Sequence, residues 1–322
     1  MKLPSWLDES ADALWQRYRQ QRLGHAPLVY GPEGVGKQLL GRWLAALLLC
    51  SGPDDGQPCG RCDDCRLVQS GSHPDFLVIE PEEDRQVVGV NQVRELIDGL
   101  HLTSTRDGNR VGLLPRADSM NVNAANALLK TLEEPPAGTW LILVTSKPAI
   151  LPATIYSRCQ PVAVRQPTHE AARTWLANAC PDIAADRLEA ALRFCELAPL
   201  AARDMLESGD LDTGMAVLED LVEVRPHAEI IERWLESPMV SWRWICRWLH
   251  VIMTNTGSSA AWKPAAVRLP TGFDERKLMQ LWELALHGHR ESQRGVVRQD
   301  LLFGRWLLEW QLQWQSAQPA GS

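Results

Sequence analysis

Two groups of residues in this 322-residue chain have types and spacings that can do chemistry. The first is the stretch GPEGVGKQ at 31–38, which completes the pattern G-x-x-x-x-G-K with Gly31, Gly36 and Lys37. A loop of this kind cradles phosphate with backbone N–H groups and one lysine, and the next residue normally offers a hydroxyl to Mg²⁺. Here the next residue is Gln38. Gly31, Gly34, Gly36 and Lys37 can still hold a phosphate of ATP or ADP through N–H groups and one positive charge. The opposing reading is a loop kept only for its turn geometry.

The second group is Cys50, Cys59, Cys62 and Cys65, a C-x8-C-x2-C-x2-C pattern. Four thiolates at this spacing can surround Zn²⁺ tetrahedrally, and with four protein ligands there is no open position, so the metal is structural. The Gly and Pro residues between the cysteines suit tight knuckles. A DNA-binding use of the knuckle is disfavoured by charge, because Asp54, Asp55, Asp63 and Asp64 outnumber Arg61 and Arg66. The expected role is to hold in shape a small hairpin that lacks a core of its own. Cys159, Cys180, Cys195 and Cys246 are scattered and read as core residues.

Both groups need elements to position them, and residues 1–166 supply a regular alternation. PLVY (27–30) reads as a strand feeding the loop, and QLLGRWLAALLLC (38–50) as the helix after it. FLVIE (76–80), RVGLLP (110–115), WLILVT (140–145) and PVAV (161–164) read as further strands. Between them lie the helical patterns VNQVRELIDGLHL (90–102) and NAANALLKTLEE (123–134), the latter stopped by Pro135 and Pro136. This alternation predicts an α/β domain built on a parallel sheet covered on both faces.

Residues 167–206 read as a few short helices, and 207–322 as helical throughout. Trp306, Trp310 and Trp314 recur every four residues and form one stripe on a last helix, either core packing or a helix-to-helix assembly surface. NTGSSAAWKP (255–264) is expected to be a loop and the tail QSAQPAGS (315–322) to be disordered. A net charge of −7 argues against gripping DNA by overall charge. The start MKLPSWLDESADALW lacks the apolar segment of a signal peptide, and the apolar run at 44–50 is too short to span a bilayer, so a cytoplasmic protein with reduced cysteines is expected.

A zinc knuckle after the phosphate-loop helix, then GSHPDF (71–76), NALLKTLEEPP (126–136) and SRC (157–159), resembles the bacterial clamp-loader subunits of DNA polymerase III, the gamma/tau/delta-prime family of the AAA+ superfamily. The likeness is strong over the first 165 residues and only in outline beyond. It implies three domains: a RecA-like AAA+ domain at 1–166 with a zinc insertion at 50–65, a helical lid at 167–206, and a helical collar at 207–322 that holds subunits in a ring. Implied partners are the gamma/tau ATPase subunits, the delta subunit and, through the complex, the sliding clamp and primed DNA.

The family contains ATPases and relatives without catalysis. In the ATPases an Asp-Glu pair ends the third strand, eleven and ten residues before the Asn of NALLK. Counting back from Asn126 gives Pro115 and Arg116, and neither offers a side-chain acceptor oxygen. Asp118 falls three residues too late, and the lid arginine of the family aligns loosely with Leu200. The resemblance therefore implies a subunit with no hydrolysis of its own, a component of the polymerase III holoenzyme. The competing expectation is an active gamma/tau-like ATPase or another phosphate-loop enzyme. The arginine of SRC, here Arg158, is implied to act in trans at a neighbour's ATP site; its bland alternative is a surface ion pair or a helix-end contact.

Overall fold

A computed structural model of the chain describes residues 2–81, 87–106, 108–221, 226–254, 275–295 and 297–317. Packing divides it into two compact units, one formed by residues up to Asn178 with Leu197–Ala201, the other by Ala179–Glu196 with the residues from Ala202 onward.

The first unit opens with helix α1 (Asp8–Arg19), which carries Asp8 and Glu9 in its first turn and Arg17 and Arg19 in its last, complementing the helix dipole. Then follow β1 (Pro27–Tyr30), α2 (Lys37–Leu49), α3 (Asp63–Ser70), β2 (Phe76–Val78), α4 (Val90–His101), β3 (Arg110–Leu114), α5 (Val122–Glu133), β4 (Thr139–Thr145), the single turn α6 (Ala153–Tyr156), β5 (Gln160–Ala163) and α7 (His169–Ala179). The strands form one parallel sheet in the order β2-β3-β4-β1-β5. Parallel strands covered on both faces need side chains that are apolar throughout, and β3 is buried along its whole length. Leu28, Leu114, Leu141 and Leu143 pack against Leu96 and Leu100 of α4 and Leu128 and Leu132 of α5. On the other face α2 lies across β3 and β4. Asn121 starts α5 by accepting from the Ala124 N–H at 2.8 Å, replacing one of the partners a helix start lacks.

This sheet agrees with the parallel sheet expected from the alternating pattern. Three local readings need correction. FLVIE forms strand only over Phe76–Val78. The cysteine loop contains a helix, α3, that its polar composition hid. The pattern at 184–206 is broken at Glu196 and Leu197, which sit at φ 52° and 59°, a left-handed pair that ends one helix and redirects the chain.

The second unit is helical: α8 (Ala185–Phe194), most of α9 (Pro199–Ser208), α10 (Asp210–Asp220), α11 (His227–Glu236), α12 (Pro238–Thr254), α13 (Glu275–Arg294) and α14 (Gln299–Ala317). Its core is rich in tryptophan. Trp234, Trp242, Trp248, Trp306 and Trp310 are fully buried. The Trp306 and Trp310 indoles satisfy their N–H groups on the Leu281 and Leu221 carbonyls, at 2.9 and 3.0 Å. Of the two readings of the tryptophan stripe, core packing is the one realised at Trp306 and Trp310. The exposed apolar side chains of α14 are instead Leu301, Leu308 and Leu312. Helix α14 continues to Ala317, so the first three residues of the expected disordered tail are helical. The rest of that tail and the expected loop at 255–264 lie outside the described residues. Among the described residues no helix is long and apolar enough to cross a membrane.

Candidate functional site

The phosphate loop leaves the C-terminal end of β1, between β4 and the edge strand β5, and ends in the N-terminus of α2. Gly31 must be glycine: a Cβ there would lie 2.3 Å from the Val164 carbonyl oxygen. Gly34, at φ 72°, is covered by the chain itself, since its Cβ would fall 2.5 Å from that of Ala201, and its carbonyl accepts from the Leu200 N–H at 3.1 Å. Leu200, the position aligned with the family's lid arginine, thus meets the loop with backbone and an apolar side chain. Lys37 is buried, and its ammonium donates to the Pro32 carbonyl inside the same loop. Burial lowers its pKa, against the opposing pull of Glu33 and Asp118.

Around the loop, Gln38 is exposed, Pro115 buried and Arg116 exposed. Asp118, set aside by counting along the sequence, is folded back by a tight turn at Ala117–Ser119 to the end of β4. There Thr145 Oγ1 donates to its carboxylate at 2.8 Å. It is a single carboxylate with its own hydrogen-bond partner, in place of the Asp-Glu pair of the ATPases.

Arg158 lies between α6 and β5 and is exposed. Its Nε donates to Glu133 Oε1 at 2.9 Å, Nη2 reaches the same oxygen, and Nη1 donates to the Thr154 carbonyl at 3.0 Å. An exposed ion pair of this kind is worth about 0–1 kcal/mol. The Glu133 contact is therefore a weak restraint on the guanidinium. β1 and β5 are parallel and pair Pro27 with Gln160 and Tyr30 with Ala163. Arg158 precedes the start of this pairing and the phosphate loop follows its end. They sit at opposite ends of two neighbouring strands, separated by about 13 Å of strand at ~3.3 Å per residue.

The four cysteines converge. Their Sγ atoms all lie within 4.8 Å of one another, with Cys50–Cys62 at 3.9 Å and Cys59–Cys65 at 4.0 Å. A tetrahedral Zn²⁺ with bonds of about 2.3 Å requires sulfurs about 3.8 Å apart, so the donor set fits that ion. Backbone N–H groups of Cys59, Cys62 and Cys65 donate to the sulfurs of Cys50, Cys59 and Cys62 at 3.3–3.4 Å. Burial opposes ionisation of Cys62, but donation from the Cys65 and Ser51 N–H groups outweighs it and brings the thiol down to about 6. The same Cys62 sulfur is the N-cap of α3.

A family model described as "DNA polymerase III, delta subunit" matches residues 7–168. The DNA polymerase III subunit delta' of Pseudomonas aeruginosa is 39% identical over 245 residues, covering 73% of this chain and 75% of the relative. The chain belongs to the delta-prime family of DNA polymerase III subunits. The delta' subunit of Escherichia coli is 38% identical over 202 residues, 63% of this chain and 60% of that protein. In fold, the chain is similar to a gamma subunit-related protein of Thermotoga maritima, with a TM-score of 0.53 at 16% identity, covering 94% of this chain and 99% of that one.

In this delta-prime family member, sequence reasoning missed a polar network beside the cysteines. Asp75, from the GSHPDF segment, has a fully buried carboxylate. It accepts from Ser104 Oγ at 3.0 Å, the Thr105 N–H at 2.9 Å, the Arg106 N–H at 3.1 Å and Arg110 Nε at 2.9 Å. Burial pushes its pKa up, but these donors outweigh it and hold the carboxyl below its ordinary range. A buried charge pair broken on one side costs about 3–5 kcal/mol. Asp75→Asn is therefore expected to lower the free energy of urea unfolding by that amount at neutral pH. Because the folded-state pKa is depressed, the contribution is full above the usual carboxylate value near pH ~4 and is lost as pH falls from there through the lower folded-state value. An unfolding midpoint that does not move in the variant would show that Arg110 finds another partner. The sequence signal was present in the histidine and aspartate of GSHPDF, but His73 faces Asp64 upstream and the partners of Asp75 lie some thirty residues downstream.

Proposed function

We propose that this chain serves the clamp loader of DNA polymerase III as a subunit that does not hydrolyse ATP and that lends Arg158 to the ATP site of a neighbouring ATPase subunit. The observation that carries the reading is the separation of the two features. A phosphate loop lacking the Mg²⁺ hydroxyl and the acidic pair follows the C-terminal end of β1, and an exposed arginine precedes the N-terminal end of the neighbouring β5. An arginine there cannot reach its own loop, but it is free to face another chain. Phosphoryl transfer is mostly positioning and charge neutralisation, so a guanidinium supplied in trans is a complete catalytic contribution.

The remaining assignments follow from the same reading. Residues 1–166 form the AAA+ domain, 167–206 the lid and 207–322 the collar. The exposed Leu301, Leu308 and Leu312 on one face of α14 give the collar an apolar surface to set against gamma/tau and delta subunits. Cys50, Cys59, Cys62 and Cys65 hold a structural Zn²⁺. The sliding clamp and primed DNA are reached through the complex, in the cytoplasm. Gly31, Gly34, Gly36 and Lys37 keep the loop's shape, and the Lys37 and Gly34 contacts within the chain oppose entry of ATP or ADP.

The test is steady-state hydrolysis by the isolated chain with Mg²⁺ and DNA. Turnover is expected at background. Gln38→Thr is expected not to restore it, because the acids at 115 and 116 are still missing. Mg²⁺-dependent turnover abolished by Lys37→Ala and Asp118→Asn would establish the active-ATPase reading instead, with Asp118 as its acid.

A further inference from the structure

The cysteine cluster is closed by more than its ligands. Ser51 follows ligand Cys50, and Asp64 precedes ligand Cys65 in the first turn of α3. Ser51 Oγ donates to Asp64 Oδ2, which pins the end of α2 to the start of α3. On its other oxygen Asp64 accepts from Arg106 Nε at 2.5 Å. His73 Nε2 lies 3.5 Å from that oxygen. The His73 Nδ1 accepts the Asp75 N–H at 3.1 Å, which turns Nε2 toward Asp64.

Arg106 is thereby gripped from two sides. Its side chain is held by Asp64 on the knuckle, and its backbone N–H by Asp75 at the start of β2. Asp63, one residue away, makes none of these contacts; its carboxylate is exposed beside Arg66.

We propose that Asp64 is a positioning residue for the metal: it fixes the two halves of the tetracysteine site to each other and couples the knuckle, through Arg106, to the turn at 104–106 and the sheet edge beyond it. The inference rests on the reading that the four cysteines hold Zn²⁺. Residues outside the ligand shell that orient it are worth on the order of 10- to 100-fold in metal affinity. With the Asp64 anchor gone, α3 is free to rotate relative to the end of α2, and the four sulfurs must be reassembled when the ion binds.

The experiment uses the full chain and Zn²⁺ in competition with a chromophoric chelator. Asp64→Asn is expected to weaken Zn²⁺ binding by on the order of 10- to 100-fold, and Asp63→Asn, which removes the same charge from the same turn, to leave it unchanged. Amide hydrogen exchange supplies a second readout. Thr105 and Arg106 are expected to lose protection both in Asp64→Asn and in wild-type chain stripped of zinc. Should Asp64→Asn fail to fold, Ser51→Ala and Arg106→Gln, at exposed positions, interrupt the same chain of contacts and are expected to weaken Zn²⁺ binding in the same direction. Wild-type affinity in the Asp64 variant, an equal loss in Asp63→Asn, or unchanged exchange at Thr105 and Arg106 on stripping overturns the proposal while leaving the metal site standing. A wild-type chain that takes up no Zn²⁺ overturns both.

Discussion

Arg158→Ala is expected to fold, retain its metal and assemble normally, yet leave one ATP site of the reconstituted clamp loader slow. The reason it should fold lies in its surroundings. The side chain is exposed, and its pair with Glu133 contributes about 0–1 kcal/mol at most. The reason the complex should fail is the size of the effect at the site served: removing an arginine finger costs on the order of 10³ to 10⁵ in rate. The loss in total turnover will be smaller, because the other sites keep their own arginines. Arg158→Lys should rescue poorly, since an ammonium lacks the planar fork that engages two phosphate oxygens. Glu133→Gln is the internal control. It removes the ion pair while sparing the guanidinium, and is expected to change turnover within the few-fold range that about 1 kcal/mol allows. The measurement is clamp-stimulated hydrolysis and clamp loading by complexes carrying each variant. An Arg158→Ala complex that assembles, hydrolyses and loads like wild type would reduce Arg158 to a surface contact.

The second large effect concerns the metal. One Zn²⁺ per chain is expected to survive gel filtration, and Cys62→Ser to release it. Structural zinc sites bind with on the order of 10 kcal/mol or more at neutral pH, so loss of one thiolate should be plain in metal analysis. Serine is the informative replacement. Cys62 also caps α3, and a serine hydroxyl can accept the same Cys65 N–H, so the helix start is preserved while the ligand is lost. Loosening of residues 50–65 in hydrogen exchange is then attributable to the missing ion. The sheet should remain folded, because the core cluster it forms with α4 and α5 contains none of residues 50–65. Retention should weaken in acid, since thiolates must be deprotonated to bind and protons compete with the ion. Metal content well below one equivalent in wild-type chain purified without chelators would refute the assignment.

The cysteine spacing, the glycine-rich loop and the missing groups at 38, 115 and 116 were legible without coordinates, because each depends on residues close together in the chain. A knuckle is a local structure, and a phosphate loop is one strand-to-helix turn. The parallel sheet was legible too, since strands buried on both faces must be apolar along their length. Helix α3 was not, because its polar residues gave no periodic signal and its start is capped by a metal-ligand sulfur.

What only the tertiary structure decided were relations between distant segments. Counting residues put Asp118 out of reach, and a three-residue turn brought it to Thr145. Sequence gave Asp63 and Asp64 the same standing, yet α3 turns one to solvent and the other into contact with Ser51, His73 and Arg106. The tryptophan stripe read as core packing or as an assembly surface, and the burial of Trp306 and Trp310 on the Leu281 and Leu221 carbonyls decided for core. The separation of Arg158 from its own phosphate loop comes from strand order and direction, which no stretch of sequence carries. Burial and register depend on which segments pack together, and that is set by the summed apolar contacts of the whole fold.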